Sequence, residues 1–355
     1  MPGDSTIGHR EHGIVQRVRQ RLQQTSWPVG TSLLVGFSGG ADSLALLASL
    51  AALQRVGLVQ LQAVHVDHRL RPTSSTEAAT ARRTAETLGV ECEVVAVDPA
   101  RLAGHRGVGV EEAARRERYR AFADVAFRRG IHTVVLGHHQ ADQAETVLLH
   151  LARGAGLGGA VGMLSLTTMR VPWWSDVGGN AVARELLVWR PLLHESGLEV
   201  RTFARSLALP IVDDPSNDDR ALRRNAIRHE VLPALERAVP GAVSGLARFA
   251  ALAAEDDAEL DRQSGRAMAG DVLTVERGVR RSALAALPLA LRRRVVRLWV
   301  AREVPSVELS ADRVEAVLRA SGHVGGRRTV ELGQGAVVVV ERDELWIDRR
   351  DERQR

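Results

Sequence analysis

Between Ser32 and about Gly137, short apolar runs alternate with amphipathic stretches of roughly 12 to 18 residues. This alternation predicts an α/β fold built on a doubly wound, mainly parallel sheet. Ligands of such sheets bind beyond the carboxyl ends of the strands, where the strand-to-helix loops gather. The predicted strands are Leu33–Phe37, Val59–Val66, Glu91–Val97 and Thr133–Leu136.

The remainder of the chain changes character several times. Gly154–Gly162 is a glycine-rich connection, and Thr167–Ala183 is a polar loop without clear periodicity. A strand, a helix and a turn with a helix-start signal are predicted at Leu186–Trp189, Arg201–Leu207 and Asp213–Asp219. We therefore expect four parts, which are an N-terminal helical lead-in at 1–30, the α/β domain at 31–225, a helical domain at 226–320 and a small C-terminal β-hairpin element at 321–355.

All 48 basic residues are arginine, because the sequence contains no lysine. A Walker-type phosphate loop and Schiff-base catalysis both need a lysine amine, so both are excluded. The formal charge of +5 is carried by guanidinium groups, each of which can hold two phosphate oxygens. A GC-rich genome explains the same arginine usage, so composition alone leaves nucleic acid as one candidate partner.

Cys92 is the only cysteine of the chain. A disulfide framework, a cysteine zinc cluster and an iron–sulfur cradle are excluded, and a reducing compartment fits. The sequence shows neither a secretory leader nor an apolar run of the roughly 18 residues that a membrane span needs. We expect a cytoplasmic protein without a membrane partner.

The segment SGGADS, Ser38 to Ser43, follows a predicted strand and opens a predicted helix. This geometry presents free backbone amides to an anion, and Gly39 and Gly40 allow a phosphate to approach the backbone closely. Ser38 and Ser43 add hydroxyl donors, whereas Asp42 repels a phosphate unless Mg²⁺ lies between them. The alternative is an ordinary Gly-Gly turn with a polar helix cap.

The segment GHHQADQAET, Gly137 to Thr146, also runs from a strand end into a helix. Asp142 and Glu145 lie three residues apart, so they share one helical face, with His138 nearby. Two carboxylates that face a crevice indicate a cation site. Favourable charge in the first helical turn is the alternative reading.

SGGADS resembles the signature of the PP-loop ATP pyrophosphatases, which bind ATP and release pyrophosphate. The later segments resemble the tRNA(Ile)-lysidine synthetase family within that group, and VDHRLR and EEAARRERYR, Val66–Arg71 and Glu111–Arg120, fit its pattern as well. The other matching segments are GHHQADQAET, RGAG, GM, RPLL, DPSN and RRNAIR. Ala160 and Val161 stand where the family more often has a Gly-Leu pair, so this loop departs from the family pattern.

The resemblance implies an enzyme that uses ATP and Mg²⁺ to adenylate the wobble cytidine of a CAU-anticodon tRNA(Ile) and then joins free L-lysine to carbon 2. It assigns the phosphates to Ser38, Gly39, Gly40, Ala41, Asp42 and Ser43, with Asp42 also the metal ligand. Asp142 and Glu145 would hold lysine, Arg118 would be an active-site cation, and either Glu145 or His138 would take the amine proton. The family also suggests a homodimer. Candidate tRNA contacts are Arg190, Arg224, Arg228, Arg293 and Arg297.

Three other functions fit parts of this pattern. A tRNA thiolation enzyme that uses cysteine pairs cannot be built from Cys92 alone, and a GMP synthetase would need a glutamine-hydrolysing domain with its own cysteine. An RNA-binding protein without catalysis is the third. Asp42, Asp142 and Glu145 count against that third reading, because a pure phosphate binder gains nothing from carboxylates.

Overall fold

The computed structural model describes residues 13–172, 174, 183–213, 215–270, 273–275, 278–305, 307, 309–323 and 325–349. The chain forms two compact units that meet in sequence at Ala251 and Leu252. None of the helices in these described ranges is long and apolar enough to cross a membrane.

The first unit contains a six-stranded sheet in the order β3-β2-β1-β4-β6-β5. The five strands β3, β2, β1, β4 and β6 run parallel to their neighbours in this order. β5 pairs antiparallel with β6 at the edge of the sheet. The strands are β1 Thr31–Gly36, β2 Val59–Asp67, β3 Glu91–Ala96, β4 Thr133–Val135, β5 Leu166–Val171 and β6 Arg184–Trp189. The chain leaves β1 toward β2 on one side and returns to β4 on the other, so a crevice opens between the loops that follow β1 and β4.

Helices surround this sheet along the first unit. They are α1 Gly13–Gln24, α2 Ala41–Gln54, α3 Ser74–Thr87, α4 Pro99–Gly104, α5 Val110–Arg129, α6 Gln140–Ala152, α7 Leu157–Ala160 and α8 Gly197–Ser206. A 3₁₀ turn follows at Pro215–Asp218, and α9 Arg223–Ala226 continues through a π turn at Ile227–Val231 into α10 Leu232–Ala238. The long helix α11 occupies Ala242–Ala269.

Both faces of the parallel strands are buried. Leu33 and Val35 of β1 pack with α2 and α8 on one face, whereas Leu34 packs with α5 residues such as Phe122 on the other. Alternate residues of a strand point to opposite faces, so a strand covered on both sides needs an unbroken apolar run. This requirement explains why β1 and β4 are readable in the sequence.

The second unit combines helices with a five-stranded antiparallel sheet in the order β7-β8-β11-β10-β9. Its elements are β7 Thr274–Val275, β8 Gly278–Arg280, α12 Arg281–Ala286, α13 Leu289–Glu303, α14 Ala311–Gly322, β9 Arg328–Gly333, β10 Ala336–Glu341 and β11 Glu344–Arg349. Val338 of β10 packs with Val300 and Trp299 of α13 in a separate apolar core. All three are nearly or fully buried.

The predicted fold class is confirmed, and two details of the prediction are wrong. The stretch 167–183 holds most of β5 rather than a loop, although residues 173 and 175–182 lie outside the described residues. The C-terminal element is part of a five-stranded sheet rather than a hairpin, because β8 from the predicted helical region pairs with β11 and β7 pairs with β8. The expected part boundaries after residues 30, 225 and 320 remain predictions, and residues 1–12 and 350–355 of those parts lie outside the described ranges.

Candidate active site

The loop after β1 takes a conformation that glycine favours. Gly39 has φ of +86°, in the left-handed region where other residues are strained. A Cβ atom at this position would lie 2.9 Å from Cγ2 of Val212, whose amide donates to the Gly39 carbonyl at 3.0 Å. The segment around Val212 therefore packs directly against the SGGADS loop and leaves no room for a side chain there.

The N-terminus of α2 presents the anion-binding groups that the sequence predicts. The first hydrogen bond within the helix runs from the Leu44 amide to the Gly40 carbonyl at 2.9 Å. The amides of Ala41, Asp42 and Ser43 therefore have no acceptor inside the helix. The hydroxyls of Ser38 and Ser43 lie 3.0 Å apart, which holds both oxygens at the mouth of the loop. Amides and hydroxyls here can surround phosphate oxygens.

Asp42 has an unused carboxylate oxygen that fits a cation. Its Oδ1 atom is buried and accepts no hydrogen bond from the described residues, although the side chain as a whole is 40% exposed. No group of three or more His, Cys, Asp or Glu side chains in the described part of the chain can hold a metal alone. Mg²⁺ commonly binds one or two carboxylates together with substrate phosphates, so Asp42 fits Mg²⁺ only in the company of a nucleotide.

Gly137 brings the loop after β4 against the loop after β1. A Cβ atom at Gly137 would lie 2.8 Å from the carbonyl oxygen of Asp42. The next residues, His138 and His139, therefore start within the same crevice as the SGGADS loop. Packing of two backbones at this distance needs glycine, and it joins the two motifs into one site.

The two histidines have different environments. The Nδ1 atom of His138 is buried without a hydrogen-bond partner in the described structure, and burial together with nearby guanidinium groups lowers the pKa of His138 to about 3. His139 is 2% exposed, and its Nε2 atom lies 3.5 Å from Oδ1 of Asp42. Burial alone would lower the pKa of His139, but Asp42 and Asp142 together raise it above its ordinary value.

Asp142 and Glu145 form a buried cluster with two arginines. Glu145 is fully buried and accepts from Nε of Arg224 at 2.8 Å and from Nε of Arg228 at 2.6 Å. Asp142 accepts from Nη2 of Arg228 at 3.0 Å and from the His139 amide at 2.9 Å, which caps α6. Burial pushes the pKa of Asp142 up, but His139, His138 and Arg224 hold it at about 2.

The arginines of this cluster come from an irregular helix. Arg224 lies in α9 and Arg228 in the following π turn, four residues apart and so on one face. Single π turns inside helices occur frequently at functional sites. The two guanidinium groups are about one-third exposed, so the cluster opens to solvent on the arginine side.

Gln143 fixes the glycine-rich segment beside the cluster. Its amide nitrogen donates to the carbonyls of Val161 and Met163 at 3.1 and 2.9 Å, and its oxygen accepts from the Met163 amide at 2.7 Å. Gly162 has φ of +62°, and a Cβ atom there would lie 2.7 Å from the Gln143 oxygen. Ala160 and Val161 of the divergent pair are buried, with Ala160 at the end of α7.

The remaining predicted residues lie in different places. Arg118 is exposed on α5, and its charge reaches His138 and contributes to that lowered pKa. Arg190 is only 5% exposed and donates from Nη1 to the Leu164 carbonyl at 2.8 Å. This burial counts against the prediction that Arg190 contacts tRNA, which remains a prediction.

The other candidate tRNA contacts divide into two groups. Arg224 and Arg228 bind Asp142 and Glu145, so the prediction that they contact tRNA is not supported. Arg293 is 43% exposed and pairs with Glu315, and Arg297 is exposed on the same helix, α13. These two arginines keep their surface position in the second unit.

Sequence reasoning missed His139 and Gln143. His139 occupies the N-cap of α6, where its Nδ1 atom accepts from the Ala141 amide at 3.2 Å. Histidine is not among the preferred N-cap residues, so cap statistics do not find it. The available signal was position, because His139 comes directly before the helix that carries both carboxylates.

Comparison with known proteins agrees with this geometry. A family model described as PP-loop domain matches residues 12–235, and one described as TilS substrate binding domain matches residues 280–346. The chain is 41% identical over 294 residues to the tRNA(Ile)-lysidine synthase of Salinispora arenicola, covering 82% of this chain and 81% of the relative. It is 38% identical over 313 residues to the tRNA(Ile)-lysidine synthase of Streptomyces coelicolor, covering 87% and 81%.

A solved structure shares the fold. It is the U34-tRNA thiolase NcsA from Methanococcus maripaludis with its [4Fe-4S] cluster, with a TM-score of 0.54 over 68% of this chain and 78% of that one. The two sequences are 17% identical, so this likeness concerns the fold alone. On the extent and identity of the sequence matches, the chain belongs to the tRNA(Ile)-lysidine synthase family of PP-loop proteins.

Proposed function

We propose that this chain ligates lysine to carbon 2 of the wobble cytidine of a CAU-anticodon tRNA(Ile), with ATP converted to AMP and pyrophosphate. The observation that carries this proposal is the junction of two motifs in one crevice. A phosphate-binding helix N-terminus with Asp42 lies against a buried cluster of Asp142 and Glu145, and the contact between His139 and Asp42 at 3.5 Å joins them. One site can thus bind a nucleotide and a cationic amino acid side by side.

In the first step, oxygen 2 of the cytosine attacks the α-phosphate of ATP and pyrophosphate leaves. The amides of Ala41, Asp42 and Ser43 and the hydroxyls of Ser38 and Ser43 would hold the phosphates in line for this attack, and Gly39 and Gly40 would let them approach the backbone. Asp42 would bind Mg²⁺, which neutralises phosphate charge when it is present. Arg118, exposed on α5, supplies positive charge toward the adenylate.

Free L-lysine fits the charge pattern of the carboxylate cluster. Asp142 and Glu145 can exchange their arginine partners for a lysine ammonium group, while Arg224 or Arg228 takes the lysine carboxylate. Such an exchange leaves no buried charge unpaired. Removing one partner from a buried ion pair is costly, so a ligand that brings both charges is favoured over a simple cation.

The attacking amine must first lose a proton, and pKa values bear on which side chain takes it. The pKa of His138 is about 3 and that of Asp142 about 2, far below the value of about 10.4 for a lysine ammonium. Both are weak proton acceptors, since an efficient base has a pKa near the working pH. We assign His138, whose buried Nδ1 atom has no partner in the described structure, a hydrogen bond to the adenylated base. Glu145, as the other side chain proposed to hold lysine, would then accept the proton. The amine then bonds to carbon 2 and AMP leaves.

The second unit supplies the proposed tRNA contacts. The residues that match the substrate-binding model include α13, where Arg297 and the half-exposed Arg293 lie on the surface. Guanidinium groups suit phosphate contacts that position an RNA without reading its sequence. A homodimer and a cytoplasmic location remain predictions from the family resemblance.

Thiolation of tRNA is not supported by the single cysteine. Cys92 is buried in β3, and burial raises its pKa to about 11. A nucleophilic cysteine needs a lowered pKa and solvent access, and Cys92 has neither. The pair of carboxylates with the pair of arginines favours an amino acid as the second substrate.

The test measures AMP, pyrophosphate and labelled lysine in RNA, using ATP, Mg²⁺ and an isoleucine tRNA transcript bearing CAU. A transcript with a GAU anticodon is the matched RNA control, and Asp348→Asn, on the surface of β11, is the protein control for Asp42→Asn. We expect lysine incorporation with CAU only, lost in Asp42→Asn and kept in Asp348→Asn. Pyrophosphate release without lysine incorporation would point to another nucleophile. If folded protein does not turn over ATP, the proposed enzymatic function is wrong.

A further inference from the structure

His139 contacts two functional elements at once. Its Nδ1 atom accepts from the Ala141 amide at the start of α6, and its Nε2 atom lies 3.5 Å from Oδ1 of Asp42 in α2. A neutral imidazole that accepts at Nδ1 carries its hydrogen on Nε2. That hydrogen faces Oδ1 of Asp42, which is buried and accepts no other hydrogen bond in the described structure.

The ring has little freedom to leave this position. His139 is 2% exposed, and a Cβ atom at Gly197 would lie 2.9 Å from its Cε1 atom and 3.2 Å from both ring nitrogens. Gly197 begins α8, so the imidazole is wedged between the start of one helix and Asp42 of another. A glycine at this place allows the close approach that the ring requires.

We infer that His139 is a positioning residue that orients the Asp42 carboxylate toward the bound nucleotide and its cation, in addition to capping α6. This inference rests on the proposed role of Asp42 at the phosphates. Side chains behind a metal ligand fix its orientation, and their loss weakens metal binding. The contact of 3.5 Å is long for a hydrogen bond, as expected before substrate tightens a site.

Two substitutions separate the cap from the contact with Asp42. In His139→Asn the amide oxygen can replace Nδ1 as a helix cap, but the shorter side chain no longer reaches Asp42. In His139→Gln the amide nitrogen can take the place of Nε2, while the cap is lost. A purely structural role predicts that His139→Gln is the more damaging change, and a positioning role predicts the opposite order for nucleotide-dependent metal binding.

The measurement is equilibrium binding of Mn²⁺ in the presence of ATP, followed by the paramagnetic resonance of free Mn²⁺. Samples with ATP but no protein are the reference, because ATP alone also binds Mn²⁺, and thermal unfolding is measured on the same full-length samples. Mn²⁺ shares the oxygen ligands of Mg²⁺. We expect His139→Asn to weaken Mn²⁺ binding by roughly 10-fold to 100-fold and His139→Gln to remain within about threefold of the unchanged protein. The unfolding temperature should fall more in His139→Gln.

Gly197→Ala provides a second test if either histidine variant fails to fold. It keeps the imidazole but forces the wedged ring away from Asp42, so we expect Mn²⁺ binding to weaken as it does in His139→Asn, together with a lower unfolding temperature. Equal Mn²⁺ affinity in His139→Asn and the unchanged protein would overturn the inference. A different result would contradict the proposed role of Asp42 itself, namely equal affinities of Asp42→Asn and the unchanged protein for Mn²⁺ and ATP.

Discussion

At the scale of single residues, the site is a balance of opposite charges. Asp142 and Glu145 supply two negative charges, and Arg224 and Arg228 supply two positive ones within hydrogen-bonding distance. A buried ion pair adds little to stability by itself, but an unpaired member is costly. The stability of the cluster is therefore sensitive to any substitution that removes a charge from one side chain and leaves its partner charged.

Glu145→Gln should destabilise the fold. The fully buried carboxylate accepts from both Arg224 and Arg228, and an amide cannot neutralise either guanidinium. We expect the free energy of unfolding to fall by about 1–3 kcal/mol, measured by urea denaturation, and the KM for lysine to rise. Glu86→Gln is the control, because the ion pair of Glu86 with Arg82 is about half exposed. Equal losses in both variants would contradict the prediction.

The buried neutral His138 should make stability depend on pH. Its pKa falls from an ordinary 6.5 to about 3 on folding, so the unfolded chain binds the extra proton between these values. Stability is then fully present above about pH 6.5 and decreases by about 1.4 kcal/mol per unit as the pH falls toward 3. Urea denaturation from pH 7 to pH 5 measures this slope. We expect His138→Gln to have a shallower slope, and an unchanged slope would mean that other groups cause it.

The sequence predicts the carboxylates of the site better than the arginines that bind them. Asp42, Asp142 and Glu145 lie in two recognisable local motifs, each at a strand end, and the sheet brings those ends together. Arg224 and Arg228 are about 80 residues away in the chain, and their spacing fits a surface helix equally well. A local sequence pattern does not show which side chains meet across such a separation in the chain. The pairing of these arginines with the carboxylates was therefore not predicted, and they were assigned to tRNA phosphates instead.

At the scale of elements, α6 is held at both its start and its side. His139 and Asp142 cap its first turn, and Gln143 binds the segment around Gly162 by three hydrogen bonds. A helix fixed in this way presents Asp142 and Glu145 at constant positions. The glycine-rich segment thereby acts as a support for the helix rather than as a free connection.

Gly162→Ala should cost more than an ordinary replacement of a left-handed glycine. Gly154 also has positive φ, at +76°, but no atom lies within 4 Å of an added Cβ there, whereas the Gln143 oxygen lies 2.7 Å away at Gly162. We expect Gly154→Ala to lower the free energy of unfolding by about 1 kcal/mol and Gly162→Ala by about 2–3 kcal/mol. Urea denaturation of both variants compares them. Identical values would show that Gln143 moves aside freely.

Strand prediction succeeded where both faces of a strand are covered. β1 and β4 are unbroken apolar runs because helices pack on each side. β5 is an edge strand with alternating exposure, and its polar residues Thr167, Thr168 and Arg170 resemble a loop. Its single partner, β6, is the next strand in the chain and pairs antiparallel with it. Pairing rather than composition therefore makes this polar segment a strand.

At the scale of the whole molecule, each of the two units has its own core. The sheet of the second unit includes β7 and β8, with two and three residues, which are too short to show an alternating pattern. Long-range pairing with β11 defines β8, and β7 in turn pairs only with β8. For this reason the sequence predicts only the hairpin at the end of that sheet.

Val338→Ala should weaken the second unit without affecting nucleotide binding. Val338 is fully buried in β10, and its replacement leaves a small cavity next to Trp299 and Val300. We expect a loss of about 2 kcal/mol in the unfolding of residues 252–355, followed by tryptophan fluorescence, with ATP binding unchanged. Leu289→Ala, at a position 48% exposed, should cost about 1 kcal/mol or less. Loss of ATP binding in Val338→Ala would mean that the first unit depends on this core.

The choice of arginine in the carboxylate cluster has a chemical consequence. An adenylated cytosine is an electrophile that reacts with whichever neutral amine reaches its carbon 2. A lysine at position 224 or 228 would offer the protein's own amine at that place, and the enzyme could become covalently attached to its RNA. A guanidinium remains protonated and does not attack. Because the sequence contains no lysine, no side-chain amine of this chain competes with the free amino acid in the proposed reaction.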